Sequence, residues 1–215
     1  MLNTLHKIGL KYGTDKTYNG YTILYHMHFN TIRTNVSSIL EIGIQNGNSL
    51  RMWEEYFPNS IIYGVDIDDK SYLNSDRIFT FKGDQTDTTF LNHLPNDIDI
   101  IIDDGGHTMI QQTTSLGCLF KKVKSGGIYI VEDLGTSIMP FELYGGNINN
   151  INTVLSSLEK FATTGVLLSD HLSESEILYI INNTKSINIY GDYSSQIGLE
   201  NSSPLGGIAG IIYKK

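Results

Sequence analysis

Short runs of β-branched and other apolar residues recur along the first two thirds of the chain, and segments with helical spacing lie between them. The runs predict five buried strands, at residues 37–44, 61–67, 77–81, 98–102 and 128–131. The intervening apolar spacing predicts helices at 49–57, 89–94 and 109–123, the last ended by the glycines at 126 and 127. This alternation indicates βαβ units and an α/β fold with a doubly wound parallel sheet.

The last third of the chain has a different pattern. Residues 141–152 are rich in Gly and Asn and predict a loop, and a helix is expected at 154–162. Ser173 and Glu176 form a capping box before a helix at 177–181. Closing strands are expected at 188–193 and 207–213, and the turn residues at 191–192 and 203–204 favour antiparallel pairing.

The composition indicates one globular domain spanning 1–215, since 40% of the 215 residues are hydrophobic. A formal net charge of -8 disfavours binding to nucleic-acid phosphates. The single cysteine, Cys118, excludes an intramolecular disulfide and a cysteine-rich zinc site. No apolar run approaches the roughly 18 to 20 residues of a membrane span, so we expect a soluble, cytoplasmic protein without a membrane partner.

Acidic residues and a histidine follow two neighbouring predicted strands. Asp103, Asp104 and His107 lie in DIDIIIDDGGH, and Glu132 and Asp133 lie in GGIYIVEDL. Ligands bind at the carboxyl ends of parallel strands, and hard oxygen ligands suit Mg²⁺, Mn²⁺ or Ca²⁺. The residues therefore predict a divalent metal at Asp104, Glu132 and Asp133, with His107 as general base. The alternative is that Asp103 and Asp133 cap helices, the other acids face water and His107 is structural.

A second group of residues predicts a nucleoside cofactor. In Glu41-x-Gly43-x-x-x-Gly47, glycine lets the backbone approach a ligand, although the spacing also suits a plain strand-to-helix turn and is not G-x-G-x-x-G. Asp66, at the end of the second strand, could accept hydrogen bonds from ribose hydroxyls, or be a solvated loop acid. Asp84 could receive an adenine amino group or form a turn.

The segments ILEIGIQNGNSLRMWEEYFP, IIYGVDID, FKGDQTD, DIIIDDGGH and GGIYIVEDL, in this order, resemble the class I S-adenosylmethionine-dependent methyltransferases. More narrowly, residues 11–146 resemble the macrocin and mycinamicin sugar O-methyltransferases. The resemblance implies a Rossmann-like, mostly parallel seven-stranded sheet with helices on both faces. It also implies adenosylmethionine and Mg²⁺ (or Mn²⁺) as cofactors, and a sugar or glycoside as the small-molecule acceptor of the methyl group.

The resemblance also implies roles for individual residues. Asp104, Glu132 and Asp133 match the metal ligands, and His107, with Asp104, matches the catalytic centre. The residues expected at the adenosylmethionine site are Glu41, Gly43, Gly47, Asp66, Asp84, Gln85 and Asp103.

The N-terminal part of the resemblance predicts how the pocket closes. Residues 1–35 are expected to form a helical lid and 136–150 a substrate loop. The stretch from Tyr12 to Lys16 resembles the family's N-terminal motif. Just beyond it, the sequence has Asn19-Gly20-Tyr21 and then Tyr25 where the family has a histidine and a tyrosine, so the role of this stretch is open. The sequence also leaves a homo-oligomer open.

Three other functions remain to be weighed. The same chemistry could act on a catechol-like acceptor or a cell-surface polysaccharide precursor. A nicotinamide-dependent oxidoreductase would require a dinucleotide-type glycine turn and a Tyr-x-x-x-Lys pair, and neither is found in the expected place. A non-catalytic adenosylmethionine-binding protein would not need the acid cluster and His107.

Overall fold

The computed structural model describes residues 3–139, 141–146, 152–191 and 207–215, which form one seven-stranded sheet with helices on both faces. The strands are β1 (Ser38–Ile42), β2 (Ile61–Asp66), β3 (Ile78–Lys82), β4 (Ile98–Asp103), β5 (Val123–Val131), β6 (Thr184–Tyr190) and β7 (Ala209–Lys214). The helices are α1 (Thr4–Tyr12), α2 (Tyr21–Phe29), α3 (Asn48–Tyr56), α4 (Thr88–His93), α5 (Met109–Leu119), α6 (Phe141–Tyr144), α7 (Val154–Thr164) and α8 (Glu174–Asn183).

The sheet order is β3-β2-β1-β4-β5-β7-β6. The first five strands pair in parallel, while β7 is antiparallel to both β5 and β6. The predicted parallel sheet with antiparallel closing strands is confirmed. The chain order reverses between β1 and β4, and the carboxyl ends of these neighbouring strands lie where such sheets bind ligands.

Alternate side chains of the central strands enter two different apolar cores. On β4, Ile100 and Ile102 join the core that contains Trp53 of α3. Ile101, between them, joins the core that contains Leu119 of α5 and Leu158 of α7. Burial on both faces explains why β4 is an almost continuous apolar run in the sequence.

The N-terminal segment packs into the first of these cores. Leu5 of α1 and Tyr25 and Phe29 of α2 are fully buried, and Tyr25 and Phe29 pack against Trp53. The part of residues 1–35 that the structure describes is therefore a packed helical layer of the domain.

Two local predictions were wrong. Strand β5 begins at Val123, so Gly126 and Gly127 lie within the strand, whereas the sequence predicted that they end a helix. A register shift in the β4–β5 pairing admits these residues, and α5 already ends at Leu119. Phe141–Tyr144 forms the single-turn helix α6 inside the predicted loop.

The two predicted final strands are present as β6 and β7, but β6 begins at Thr184, before the predicted start at 188, and β7 begins at Ala209, after the predicted start at 207. The predicted strand residues 192–193 and the turn at 203–204 lie outside the described part of the chain. Of the helices that are described, none combines the length and apolarity needed to cross a bilayer.

Candidate active site

The acids predicted from the sequence come together because the sheet's hydrogen-bonding ladder continues past the strand ends. The Asp104 N–H donates to the Ile42 carbonyl at 3.0 Å, and the Glu132 N–H donates to the Asp103 carbonyl at 2.9 Å. The sheet therefore fixes the backbone of residues that lie far apart in the sequence.

Asp104, His107 and Asp133 form a partly buried cluster, whose ligand atoms all lie within 4.8 Å of one another. His107 Nε2 is 3.8 Å from Asp104 Oδ1 and 3.5 Å from Asp133 Oδ2. We call these three residues the front cluster. Its atoms are of the kinds that bind divalent cations and exchange protons.

Two residues of the front cluster have left-handed backbone conformations. His107 has φ 58° and Asp133 has φ 52°. Such conformations cost a non-glycine residue free energy and persist only where the surroundings impose them. Here the Thr136 hydroxyl donates to the carbonyl of His107 at 2.9 Å. In this backbone geometry both side chains lie close to Asp104.

Behind the front cluster, Lys16 makes a buried ion-pair network with three carboxylates. Its Nζ lies 3.1 Å from Glu41 Oε1, 2.8 Å from Glu132 Oε1 and 2.5 Å from Asp104 Oδ2. Burial alone would lower the pKa of Lys16, but the three carboxylates outweigh it and raise that pKa well above its usual value. Lys16 is therefore a permanent cation in this network.

The hydroxyl groups of two tyrosines on α2 also bind the acids. Tyr25 donates to Glu132 Oε1 at 2.5 Å, and Tyr21 donates to Asp133 Oδ1 at 2.7 Å. Burial, followed by repulsion from Asp104, raises the pKa of Glu132 well above its usual value, although Lys16 and Tyr25 oppose the shift.

The charge balance of the site favours a divalent cation. Glu41, Asp104, Glu132 and Asp133 supply four carboxylates, and Lys16 supplies one ammonium group. With all of these groups ionised, three negative charges are in excess, which is costly in a partly buried site. Hard oxygen donors with excess negative charge fit Mg²⁺ or Mn²⁺.

The structure brings two of the three predicted metal ligands, Asp104 and Asp133, into the front cluster. The third, Glu132, lies beside Asp104, with Oε1 bound by Lys16 and Tyr25. The roles of all three residues as metal ligands stay predictions.

A cavity of about 490 Å³ adjoins the front cluster and extends across the ends of the neighbouring strands. Four residues predicted for the cofactor site line it: Gly43, Asp66, Asp84 and Gln85. Gly43 has φ 79°, and a Cβ there would lie 2.0 Å from the Asp104 carbonyl oxygen, so only glycine fits. Asp66 Oδ2 accepts from the N–H groups of Ile44 and Gln45 at 3.2 and 3.1 Å. Asp66 thus also shapes the loop that follows β1.

The other three residues predicted for the cofactor site do not line this cavity, so direct contact with a ligand is not supported for them. Glu41 is fully buried and accepts from Ser49 and Trp53 as well as pairing with Lys16. Gly47 is the N-cap of α3, and a Cβ there would meet Leu73 at 2.5 Å.

Asp103 is the third of these residues, and burial raises its pKa to about 7. Gln85 Nε2 donates to Asp103 at 3.2 Å, and Gln85 Oε1 accepts from the Gly106 N–H at 2.6 Å. Asp103 and Gln85 thus support the loop that carries His107.

The sequence reasoning did not identify the contacts of Lys16, Tyr21 and Tyr25. Lys16 pairs with residues 88 and 116 positions away, and no local pattern reveals such pairings. The available signal was the need of several buried acids for a cation, together with the position of Lys16 in the Tyr12–Lys16 motif.

Comparison with known proteins identifies relatives, although no family model matches the sequence. The chain is 40% identical over 144 residues to 8-demethyl-8-alpha-L-rhamnosyl tetracenomycin-C 2'-O-methyltransferase of Streptomyces olivaceus, covering 62% of this chain and 38% of that protein. It is 38% identical over 166 residues to demethylmacrocin O-methyltransferase of Streptomyces fradiae, covering 72% and 42%. The chain thus spans about two fifths of the length of these relatives.

Solved structures show the same relationship over the whole chain. MycE methyltransferase from the mycinamycin biosynthetic pathway, in complex with Mg, SAH and mycinamycin VI, is 29% identical with a TM-score of 0.77. The match covers 99% of this chain and 54% of MycE. Another MycE crystal form, with Mg and SAH, gives 30% identity and a TM-score of 0.79 over 100% of this chain and 54% of MycE. The chain is a homologue of the macrolide and tetracenomycin sugar O-methyltransferases and shares their class I methyltransferase fold.

Proposed function

We propose that the protein is a magnesium-dependent O-methyltransferase, which moves a methyl group from adenosylmethionine to a hydroxyl group of a sugar or glycoside. The observation that carries the proposal is one cavity lined by Asp66 and Asp84 as well as by all three residues of the front cluster. The named activities of the relatives, and Mg and SAH in the MycE complexes, support it.

The cofactor end of the cavity offers the groups that a nucleoside needs. Asp66 and Asp84 present carboxylates, which accept hydrogen bonds from hydroxyl and amino groups. Gly43 presents bare backbone, since its Cα carries no side chain. When bound, adenosylmethionine supplies an electrophilic methyl group on a sulfonium sulfur.

Asp104, Glu132 and Asp133 would hold the metal, whose charge is suited to the excess of carboxylates. When bound, a divalent cation supplies Lewis acidity, which lowers the pKa of a nearby hydroxyl group. The ammonium group of Lys16 neutralises Asp104 Oδ2 and Glu132 Oε1, the two oxygens that it contacts.

His107 would accept the proton of the acceptor hydroxyl at Nε2 as that oxygen bonds to the methyl carbon and the carbon–sulfur bond of the sulfonium breaks, with S-adenosylhomocysteine as the leaving group. His107 Nε2 lies 3.8 Å from Asp104 Oδ1 and 3.5 Å from Asp133 Oδ2, so the proton acceptor stands beside the expected metal ligands. The proposal includes a cytoplasmic location and no nucleic-acid partner, and the net charge of -8 supports only the second of these.

The proposal is tested by transfer of labelled methyl from adenosylmethionine to rhamnosides, macrolide glycosides and catechols. We expect transfer to a glycoside in the presence of Mg²⁺, its loss on chelation and its return with Mg²⁺ or Mn²⁺. Transfer to catechols alone would reject the sugar acceptor. Full activity in excess chelator would remove the metal from the reaction, and calorimetric binding of NAD without binding of S-adenosylhomocysteine would reject the whole proposal.

A further inference from the structure

The hydroxyl of Tyr21 is a buried junction of three hydrogen bonds. It donates to Asp133 Oδ1 at 2.7 Å and accepts from the N–H of the same residue at 2.9 Å. It also accepts from the Gly207 N–H, just before β7, at 3.0 Å. One oxygen atom thus fixes the carboxylate and the backbone of Asp133 together.

The two carboxylate oxygens of Asp133 consequently face different groups. Oδ1 is held by Tyr21, while Oδ2 lies 3.5 Å from His107 Nε2 in the front cluster. A carboxylate with one oxygen held by a buried donor loses most of its freedom to rotate. Holding Oδ1 therefore sets the direction in which Oδ2 points.

The Tyr21 ring is itself immobilised. The side chain is 1% exposed, and the ring stacks on that of Tyr25, with centroids 5.8 Å apart and planes at 13°. Tyr25 in turn stacks on Phe29 in the core. The hydroxyl position is therefore determined by packing of α2, and its hold on Asp133 does not depend on a flexible side chain.

We propose that Tyr21 is a positioning residue, which orients the Asp133 carboxylate for divalent-metal binding through its hydroxyl group. This inference rests on the proposed function, because it concerns the same metal site. Tyr21 lies in the stretch where the sequence departs from the family's N-terminal motif. The inference gives this residue a role in orienting a metal ligand.

Lys16 acts on Asp104 in a corresponding way: it binds Oδ2, while Oδ1 faces His107. Replacing Lys16, however, changes the charge beside the metal, which alters metal affinity whatever the orientation of the ligands. Replacing Tyr21 by phenylalanine removes a neutral hydroxyl, together with its three hydrogen bonds to Asp133 and Gly207, and leaves the charge unchanged. Tyr21 therefore gives the cleaner test.

The experiment compares Mg²⁺ binding to the native protein, Tyr21→Phe and Tyr12→Phe by calorimetry, with S-adenosylhomocysteine binding measured separately. Tyr12 is the control, since it lies in the same N-terminal layer and its hydroxyl donates to the exposed Glu55 of α3. We expect Tyr21→Phe to bind Mg²⁺ about 10- to 100-fold more weakly, the usual effect of losing a group that orients a metal ligand. Tyr12→Phe should match the native protein, and binding of S-adenosylhomocysteine should be unchanged in both variants.

A folded Tyr21→Phe variant with native Mg²⁺ affinity would overturn the inference and leave the proposed function intact. Failure of the native protein to bind Mg²⁺ would overturn both. If Tyr21→Phe does not fold, a crystal structure of the Mg²⁺-loaded native protein decides. Tyr21 must still donate to one Asp133 oxygen while the other binds the metal, and a Tyr21 hydroxyl detached from Asp133 would refute the inference.

Discussion

His107 combines an unusual backbone conformation with the position expected of a general base. Asparagine adopts the left-handed region more readily than most residues, so His107→Asn can keep φ 58° while removing the imidazole. We expect the variant to fold and to bind S-adenosylhomocysteine as the native protein does. Its turnover should fall by about 10² to 10⁴-fold, the usual contribution of a positioned proton acceptor.

The control for this prediction is His93→Asn, measured in the same methyl-transfer assay. His93 is exposed, its Nδ1 hydrogen-bonds to the Thr89 carbonyl at 2.7 Å, and it does not line the cavity. Its replacement should leave turnover unchanged. If His107→Asn is folded and nearly as fast as native, His107 is not the base, and the front cluster activates the acceptor without it.

The junction of β1 with β4 depends on a glycine, and the chain offers a matched comparison. Gly43 and Gly126 have φ 79° and 78°, but a Cβ at Gly43 would clash with the Asp104 backbone, while one at Gly126 would meet nothing within 4 Å. Gly126→Ala should lower the free energy of unfolding by about 1–2 kcal/mol, the cost of the left-handed conformation alone. Gly43→Ala should lower the free energy of unfolding by about 1–3 kcal/mol more, because the backbone is forced to shift.

Urea denaturation and calorimetry of S-adenosylhomocysteine binding check this comparison. Only Gly43→Ala should also lose ligand binding, because the shift displaces the end of β4 at the cavity wall. Equal stability losses and unchanged binding in both variants would show that the approach of Gly43 to Asp104 is not constraining.

At the scale of the elements, the sequence predicted what local periodicity determines. Strands β1, β2 and β4 are apolar runs, because both faces of the sheet are covered, and their ends place Asp66 and Asp104 at one edge. The predicted start of β5 was wrong, because Gly126 and Gly127 are typical of helix ends and the register shift against β4 is not visible in the sequence. The strand propensity of single residues gives no information on the register in which two strands pair.

The acids of the candidate site could be predicted from the sequence, but the residues that bind these acids could not. Asp104, Asp133 and His107 follow strands whose adjacency the fold class implies. Lys16 and Tyr21 reach them from the N-terminal layer, and that contact depends on how α2 packs on α3 and the sheet. Packing of this kind is set by the whole core, which local patterns do not encode.

For the whole molecule, the excess of negative charge at one edge of the sheet links metal binding to stability. A ligand that binds only the folded state stabilises it by about 2.7 kcal/mol at 100 times its dissociation constant. For a chain of this length we therefore expect Mg²⁺ at that level to raise the Tm by about 5–10 °C.

Since the protein carries a net charge of -8, general screening by salt must be separated from binding, so NaCl of equal ionic strength is the first control. Asp133→Asn is the second control, because it removes one carboxylate of the front cluster and should abolish most of the Mg²⁺-specific shift. Equal shifts with NaCl and Mg²⁺, or an undiminished Mg²⁺ shift in Asp133→Asn, would show that the cation acts on the surface charge and not at this site.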